Sequence, residues 1–165
     1  MYAPIEEPSK RLSKEIIPAM RWGALISVAI EVVITGILYG VSIYFAWPDW
    51  VNWILLIVAA IIVAGAIWSI GLRPFFVFKN TRYEVSEEFL QLKSGAFHEV
   101  HELVPMAKIQ AVSTHQGPIL RRFNLYSIAI ETMGSTHGIA GLPKQVAIDV
   151  RDRIAHLAKI QEVDE

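Results

Sequence analysis

The chain contains no cysteine, which excludes a disulfide framework, a thiolate metal site and a thiol nucleophile. Charge is missing over a long stretch: between Arg21 and Arg73 there is no basic side chain, and the only acidic ones are Glu31 and Asp49. Elsewhere neither sign dominates. The formal net charge is -1, and from Arg73 onward eleven Lys and Arg face eleven Asp and Glu. The clustered basic excess of a nucleic-acid footprint is absent, so no nucleic acid is expected as a partner.

What fills the uncharged stretch is bilayer material. It divides at Ala46-Trp47-Pro48-Asp49-Trp50 into spans 22–46 and 51–72, each longer than the ~20 apolar residues that cross a hydrocarbon core of ~30 Å. The pattern predicts a transmembrane helical hairpin over 22–72, and the mean hydropathy of +0.40 comes mostly from it. Lys10, Arg11, Lys14 and Arg21 precede the first span, Arg73, Lys79 and Arg82 follow the second, and the loop between carries only Asp49. The positive-inside bias then puts both termini in the cytoplasm. Residues 1–21 read as a cytoplasmic tail, loose or partly helical along the membrane. The apolar run starts too late and lasts too long for a signal peptide. The tail's basic cluster serves as a solvated orientation signal or as a contact to anionic lipid.

Two features of the hairpin go beyond anchoring. Glu31 lies about nine residues into the first span, ~13 Å deep along a straight helix, where a carboxylate is costly unless protonated or paired. It is either a neutral packing residue hydrogen-bonded to a backbone carbonyl or to a polar partner on a neighbouring helix, or a partner-recognition or proton-linked residue. Gly36 and Gly40, then Ala60 with Ala64 and Gly65 with Ser69, repeat at four-residue spacing and permit close helix approach. They serve either the two spans' own packing or the docking of another membrane protein or a second copy. The five tryptophans lie near the proposed interfaces, where aromatic belts sit.

After Leu72 the pattern changes to period two. Strands are predicted over 82–85 and 89–93 around a Ser86-Glu87-Glu88 turn, then over 96–104, 109–115, 126–133 and 139–142. Pro143 stands where a helix starts, and Val146, Val150, Ile154 and Leu157 form its apolar stripe. Residues 73–165 are thus expected to be an α+β domain, a curved antiparallel sheet or partly open barrel closed by a C-terminal helix.

The segments Leu103-Val104-Pro105-Met106-Ala107-Lys108-Ile109-Gln110 and Gln116-Gly117-Pro118-Ile119-Leu120-Arg121-Arg122-Phe123, with Tyr83-Glu84-Val85 and Leu92-Lys93-Ser94-Gly95, resemble the membrane-anchored bacterial pleckstrin-homology-like (YdbS-like) family. The resemblance covers hairpin, strands and final helix. It implies a pleckstrin-homology-like barrel at the cytoplasmic face of the bacterial inner membrane, acting as an interaction module with no established chemistry, and points to an envelope-related assembly. Phosphoinositide recognition is not expected, because Ser86-Glu87-Glu88 puts two carboxylates where such sites need cations. Arg121 and Arg122, with Lys108 and Lys144 nearby, form the best basic group. The pair reads as a solvated strand edge, an ion pair with an acid such as Glu131, or a contact to lipid headgroups or an acidic segment.

Catalysis is not expected. His98 and His101 fall on opposite faces of a strand and cannot share an ion. His115, His137 and His156 stand singly, and no nucleophile elbow, phosphate-cradling loop or helical metal motif is present. No cofactor or metal is expected. Binding to another membrane protein leads, anionic-lipid sensing is the alternative, and a membrane-embedded hydrolase comes third.

Overall fold

The computed structural model describes residues 8–95 and 99–164. They form two compact units, Pro18–Phe75 and a second one made of residues up to Ile17 together with Phe76 onward.

The first unit is the helical hairpin. Helix α1 (Ile16–Tyr44) ends in a Schellman turn: Trp47 N–H donates to Ser42 O at 3.0 Å and Ala46 N–H to Ile43 O at 3.2 Å. Ala46 takes the left-handed conformation (φ 47°) that this cap requires. Pro48 then prevents continuation, and α2 (Asp49–Ala66) opens with Asp49 in its first turn, where a carboxylate suits the helix dipole. Ser42, 1% exposed, donates its Oγ–H to Asn52 Oδ1 at 2.8 Å, an interhelical bond of the kind that holds membrane helices together.

The second helix does not stop at Leu72. It passes through a π-helical segment (Ile67–Leu72) into α3 (Arg73–Asn80). Pro74 is the physical cause. It has no N–H for the carbonyl four residues back, that of Ile70, and its ring crowds that carbonyl. The widened turn relieves the clash, and Ile70 O accepts from Arg21 Nε at 3.2 Å. Helices of 29 and 32 residues, Ile16–Tyr44 and Asp49–Asn80, are therefore long and apolar enough to cross a membrane. The chain from Arg73 to Asn80 is thus helical.

The second unit holds two antiparallel sheets. Strands β1 (Lys10–Arg11), β2 (Arg82–Val85), β3 (Phe89–Ser94) and β4 (Val100–Pro105) form one. Strands β5 (Ile109–His115), β6 (Leu125–Thr132) and β7 (Thr136–Pro143) form the other. The two sheets are not closed on each other, in keeping with the partly open arrangement expected. A 3₁₀ turn (Met106–Lys108) links β4 to β5, and the short helix α4 (Pro118–Arg122) links β5 to β6. Of the strand expected over 96–104, residues 96–98 lie outside the described residues, Glu99 is outside any strand, and β4 covers 100–104. Helix α5 (Lys144–Asp164) packs on β5, β6, β7 and the 3₁₀ turn and touches β2. The core is built from Tyr83, Leu90, Met106, Ile128, Ile130, Leu142 and Ile154, all at most 3% exposed. The α5 stripe begins at Ala147, 0% exposed, rather than at Val146, which is 38% exposed. The spacing Ala147, Val150, Ile154 centres the buried face one side of Val146.

The N-terminal tail is partly helical, as expected, from Ile16, but its described residues 8–15 hold a pairing that the sequence did not announce. Lys10 pairs with Tyr83 and Arg11 with Arg82, Ser9 N–H donates to Glu84 Oε2 at 2.9 Å, and Pro8, Leu12 and Ile16 are buried. Ser13 N–H then donates to Gly141 O at 3.3 Å. The tail thus starts on the outer edge of the first sheet and reaches the outer edge of the second. Its apolar residues are spaced to be swallowed by a core, which charge counting alone could not reveal.

Candidate functional site

Two places combine exposure with unusual chemistry, one in each unit. In the hairpin, Val32, Thr35, Gly36 and Tyr39 of α1 and Leu55, Leu56, Ala59, Ile62 and Val63 of α2 line an open apolar groove of about 400 Å³. A Cβ built on Gly36 or on Gly40 would meet nothing within 4 Å. The glycines therefore do not draw the two spans together, and their faces are open. Glu31 is exposed one helical turn before Thr35, whose Oγ1–H donates to the Glu31 carbonyl at 2.8 Å. Among the described residues the Glu31 carboxylate has no hydrogen-bond or ion-pair partner.

In the sheet unit the basic candidates separate. Arg121 and Arg122 are exposed at the C-terminal end of helix α4, not at the head of a strand. Lys144 follows Pro143, the register partner of Leu125, so it shares that end of the sheet. Lys108 precedes β5 and lies at the opposite end, a strand length of ~20 Å away at ~3.3 Å per residue. Glu131 pairs in register with Ala111 and Thr136, near Lys108 and far from the arginines it was weighed against.

At the Lys108 end the structure assembles groups that the sequence keeps apart. His137 on β7 places Nδ1 2.8 Å from Glu102 Oε2 on β4, a bond between the two sheets over 35 positions of chain. Its Nε2 lies 2.8 Å from Ser135 Oγ, and Ser135 Oγ lies 3.0 Å from Thr132 Oγ1. Ser135 N–H donates to Thr132 Oγ1 at 3.2 Å. The His137 side chain is only 15% exposed, that of Glu102 41%, and Ser135 is open to solvent. Beside them runs a groove of about 270 Å³ lined by Leu103, Val104, Pro105, Met133 and Lys108. In the sequence His137 stands singly. Nothing local marks Glu102 as its partner, and only the pairing of the sheets brings them together. Ser113 Oγ and His115 Nε2 on β5 repeat the two-residue contact at 2.9 Å, but among the described residues His115 has no carboxylate as a hydrogen-bond or ion-pair partner. His98 lies outside the described residues, and among those described no cluster of three or more His or acidic side chains could hold a metal ion.

Comparison with known proteins spans both units. The sequence profile of a family described as Bacterial PH domain matches residues 23–158, taking in hairpin and sheets alike. The UPF0699 transmembrane protein YdbS of Bacillus subtilis (strain 168) is 32% identical over 159 residues, which is 96% of this chain and 98% of that protein. No solved structure matches.

Proposed function

The chain belongs to the bacterial PH domain family, and from that premise we propose that it works as a binding protein of the bacterial cytoplasmic membrane. Its two helices cross the bilayer with both termini in the cytoplasm, the sheet unit stands on the cytoplasmic side, and the hairpin docks another membrane protein within an envelope-related assembly. One observation carries this reading: the hairpin leaves an open groove of about 400 Å³, flanked by a carboxylate with no partner among the described residues. Van der Waals packing and interhelical hydrogen bonds drive association in lipid, so an unfilled groove beside Glu31 is surface suited to a further helix. No step in this role needs catalysis or a cofactor.

The test is crosslinking and co-purification of the tagged full-length protein from its native membrane in mild detergent. Gly36→Leu fills the groove and Glu31→Leu removes the carboxylate. Each is expected to lower recovery of a discrete crosslinked partner at least five-fold while far-UV circular dichroism stays unchanged. Partners retained by both variants would reduce the hairpin to an anchor. Anionic-lipid sensing is the second reading, favoured by Arg121, Arg122 and Lys144 at one end of the three-stranded sheet. It requires co-flotation with phosphatidylglycerol vesicles that fades as salt rises and that Arg121→Ala with Arg122→Ala abolishes.

A further inference from the structure

We propose that Ser135, His137 and Glu102 form a nucleophilic relay that cleaves carboxylic esters of short acyl chain in the groove beside it. The relay rests on hydrogen-bond direction. An ionised Glu102 can only accept, so the bond at 2.8 Å to His137 places the ring hydrogen on Nδ1. In the neutral ring Nε2 is then an acceptor, and the 2.8 Å contact is Ser135 Oγ–H donating to it. The Ser135 hydrogen being used, Thr132 Oγ1–H is left to donate, to Ser135 Oγ or to its carbonyl, each 3.0 Å away. One tautomer satisfies every bond, and it is the one in which a base faces the serine hydroxyl while a carboxylate orients that base. Nucleophile, base and orienting acid in hydrogen-bond reach of one another are the geometric signature of an activated serine.

The surroundings fit the chemistry. Ser135 is exposed to an incoming carbonyl. The adjoining groove of about 270 Å³ has an apolar lining from Leu103, Val104, Pro105 and Met133. That volume falls under the ~300 Å³ at which ligand pockets begin, which restricts the acyl chain to a short one. Lys108 is the cation on the groove's lining, placed to offset charge developing on the carbonyl oxygen. In the first step Ser135 Oγ bonds to the carbonyl carbon and its proton passes to His137 Nε2. The C–O bond to the alkoxy group breaks, and the departing alcohol takes that proton. In the second step water attacks the acyl-serine, gives a proton to Nε2, and the ester bond to Oγ breaks as Oγ takes the proton back. Ester and water become acid and alcohol, and Glu102, a positioning residue, stays ionised throughout. Ser113 with His115 makes the same serine–histidine contact at 2.9 Å without a carboxylate, and so serves as an internal comparison.

The experiment treats the detergent-solubilised full-length protein with a fluorophosphonate probe, locates the label by peptide mass spectrometry, and follows p-nitrophenyl acetate hydrolysis in parallel. Label is expected at Ser135 and not at Ser113. Ser135→Ala abolishes both signals, and His137→Gln and Glu102→Gln each lower the labelling rate at least ~100-fold. Glu102→Asp, which keeps a carboxylate, recovers part of that loss, and Lys108→Met slows ester hydrolysis. Circular dichroism confirms that each variant folds. No label, label at Ser113 as fast as at Ser135, or label at Ser135 indifferent to His137→Gln overturns the proposal.

Discussion

A side chain at position 141 has nowhere to go. Gly141 has φ +74°, and a Cβ built there falls 2.7 Å from Cγ1 and 2.8 Å from Cβ of Ile16. The tail packs across β7 only because that strand is bare at this point. Gly141→Val combines left-handed strain of roughly 1–2 kcal/mol with overpacking of about 1–3 kcal/mol, and should lower thermal stability accordingly. Gly138→Ala is the control on the same strand, since its Cβ would meet only Ile128 O at 3.8 Å. Melting both variants by far-UV circular dichroism checks the difference. Tyr83, 3% exposed, supplies the pH dependence. Burial raises its phenol above the ordinary value of 10.0. The folded state holds the proton more tightly than the unfolded one, so the stability linked to it is complete below about pH 10 and is lost as pH rises through the folded value. Tyr83→Phe should flatten the alkaline limb of a stability-versus-pH curve. A limb that is unchanged would assign the loss to other groups.

Among the elements, α5 shows how far periodicity reaches. Apolar spacing locates the helix and two of its buried positions, Val150 and Ile154, with Leu157 half-buried, but puts Val146 on the stripe where the structure buries Ala147. A small residue carries little hydropathy signal, yet it is what lets a helix sit close on a sheet. Ile154→Ala, at 0% exposure, should cost ~2–5 kcal/mol, whereas Val146→Ala, at 38% exposure, should cost less than ~1 kcal/mol. Urea titration of the two variants distinguishes them. The same limit explains what else was legible. Runs of uncharged residues and alternating strands are local signals, so the hairpin, β2, β3, β5 and β6 could be read directly. The β1 strand is two residues long and exists only because β2 offers an edge. The π-helical segment follows from Pro74, a cue present in the sequence, but its consequence, the Arg21 bond to Ile70 O, needs the other helix. The Glu102–His137 contact joins two sheets, and no spacing rule spans that distance.

For the whole molecule, the decisive quantity is which side of the membrane each unit faces, because a binding role toward cytoplasmic components depends on it. The charge asymmetry is the physical basis: Lys10, Arg11, Lys14 and Arg21 stand before the first span, Arg73, Lys79 and Arg82 after the second, and Asp49 alone in the loop. Flanking Lys and Arg set orientation because they resist translocation. The absence of cysteine makes this testable, since one introduced thiol is the sole maleimide target on this chain and label on the affinity-purified protein reports that position. Asp49→Cys lies exposed in the first turn of α2, Lys14→Cys just before α1, and Lys159→Cys on the open face of α5. A membrane-impermeant maleimide applied to intact cells should label Asp49→Cys alone. Inside-out vesicles should reverse the pattern, labelling Lys14→Cys and Lys159→Cys and sparing Asp49→Cys. The opposite result would place the sheet unit outside the cell. There Ser135 and its groove would meet envelope esters rather than cytoplasmic ones, and the docking partner would have to be sought among proteins exposed on that side.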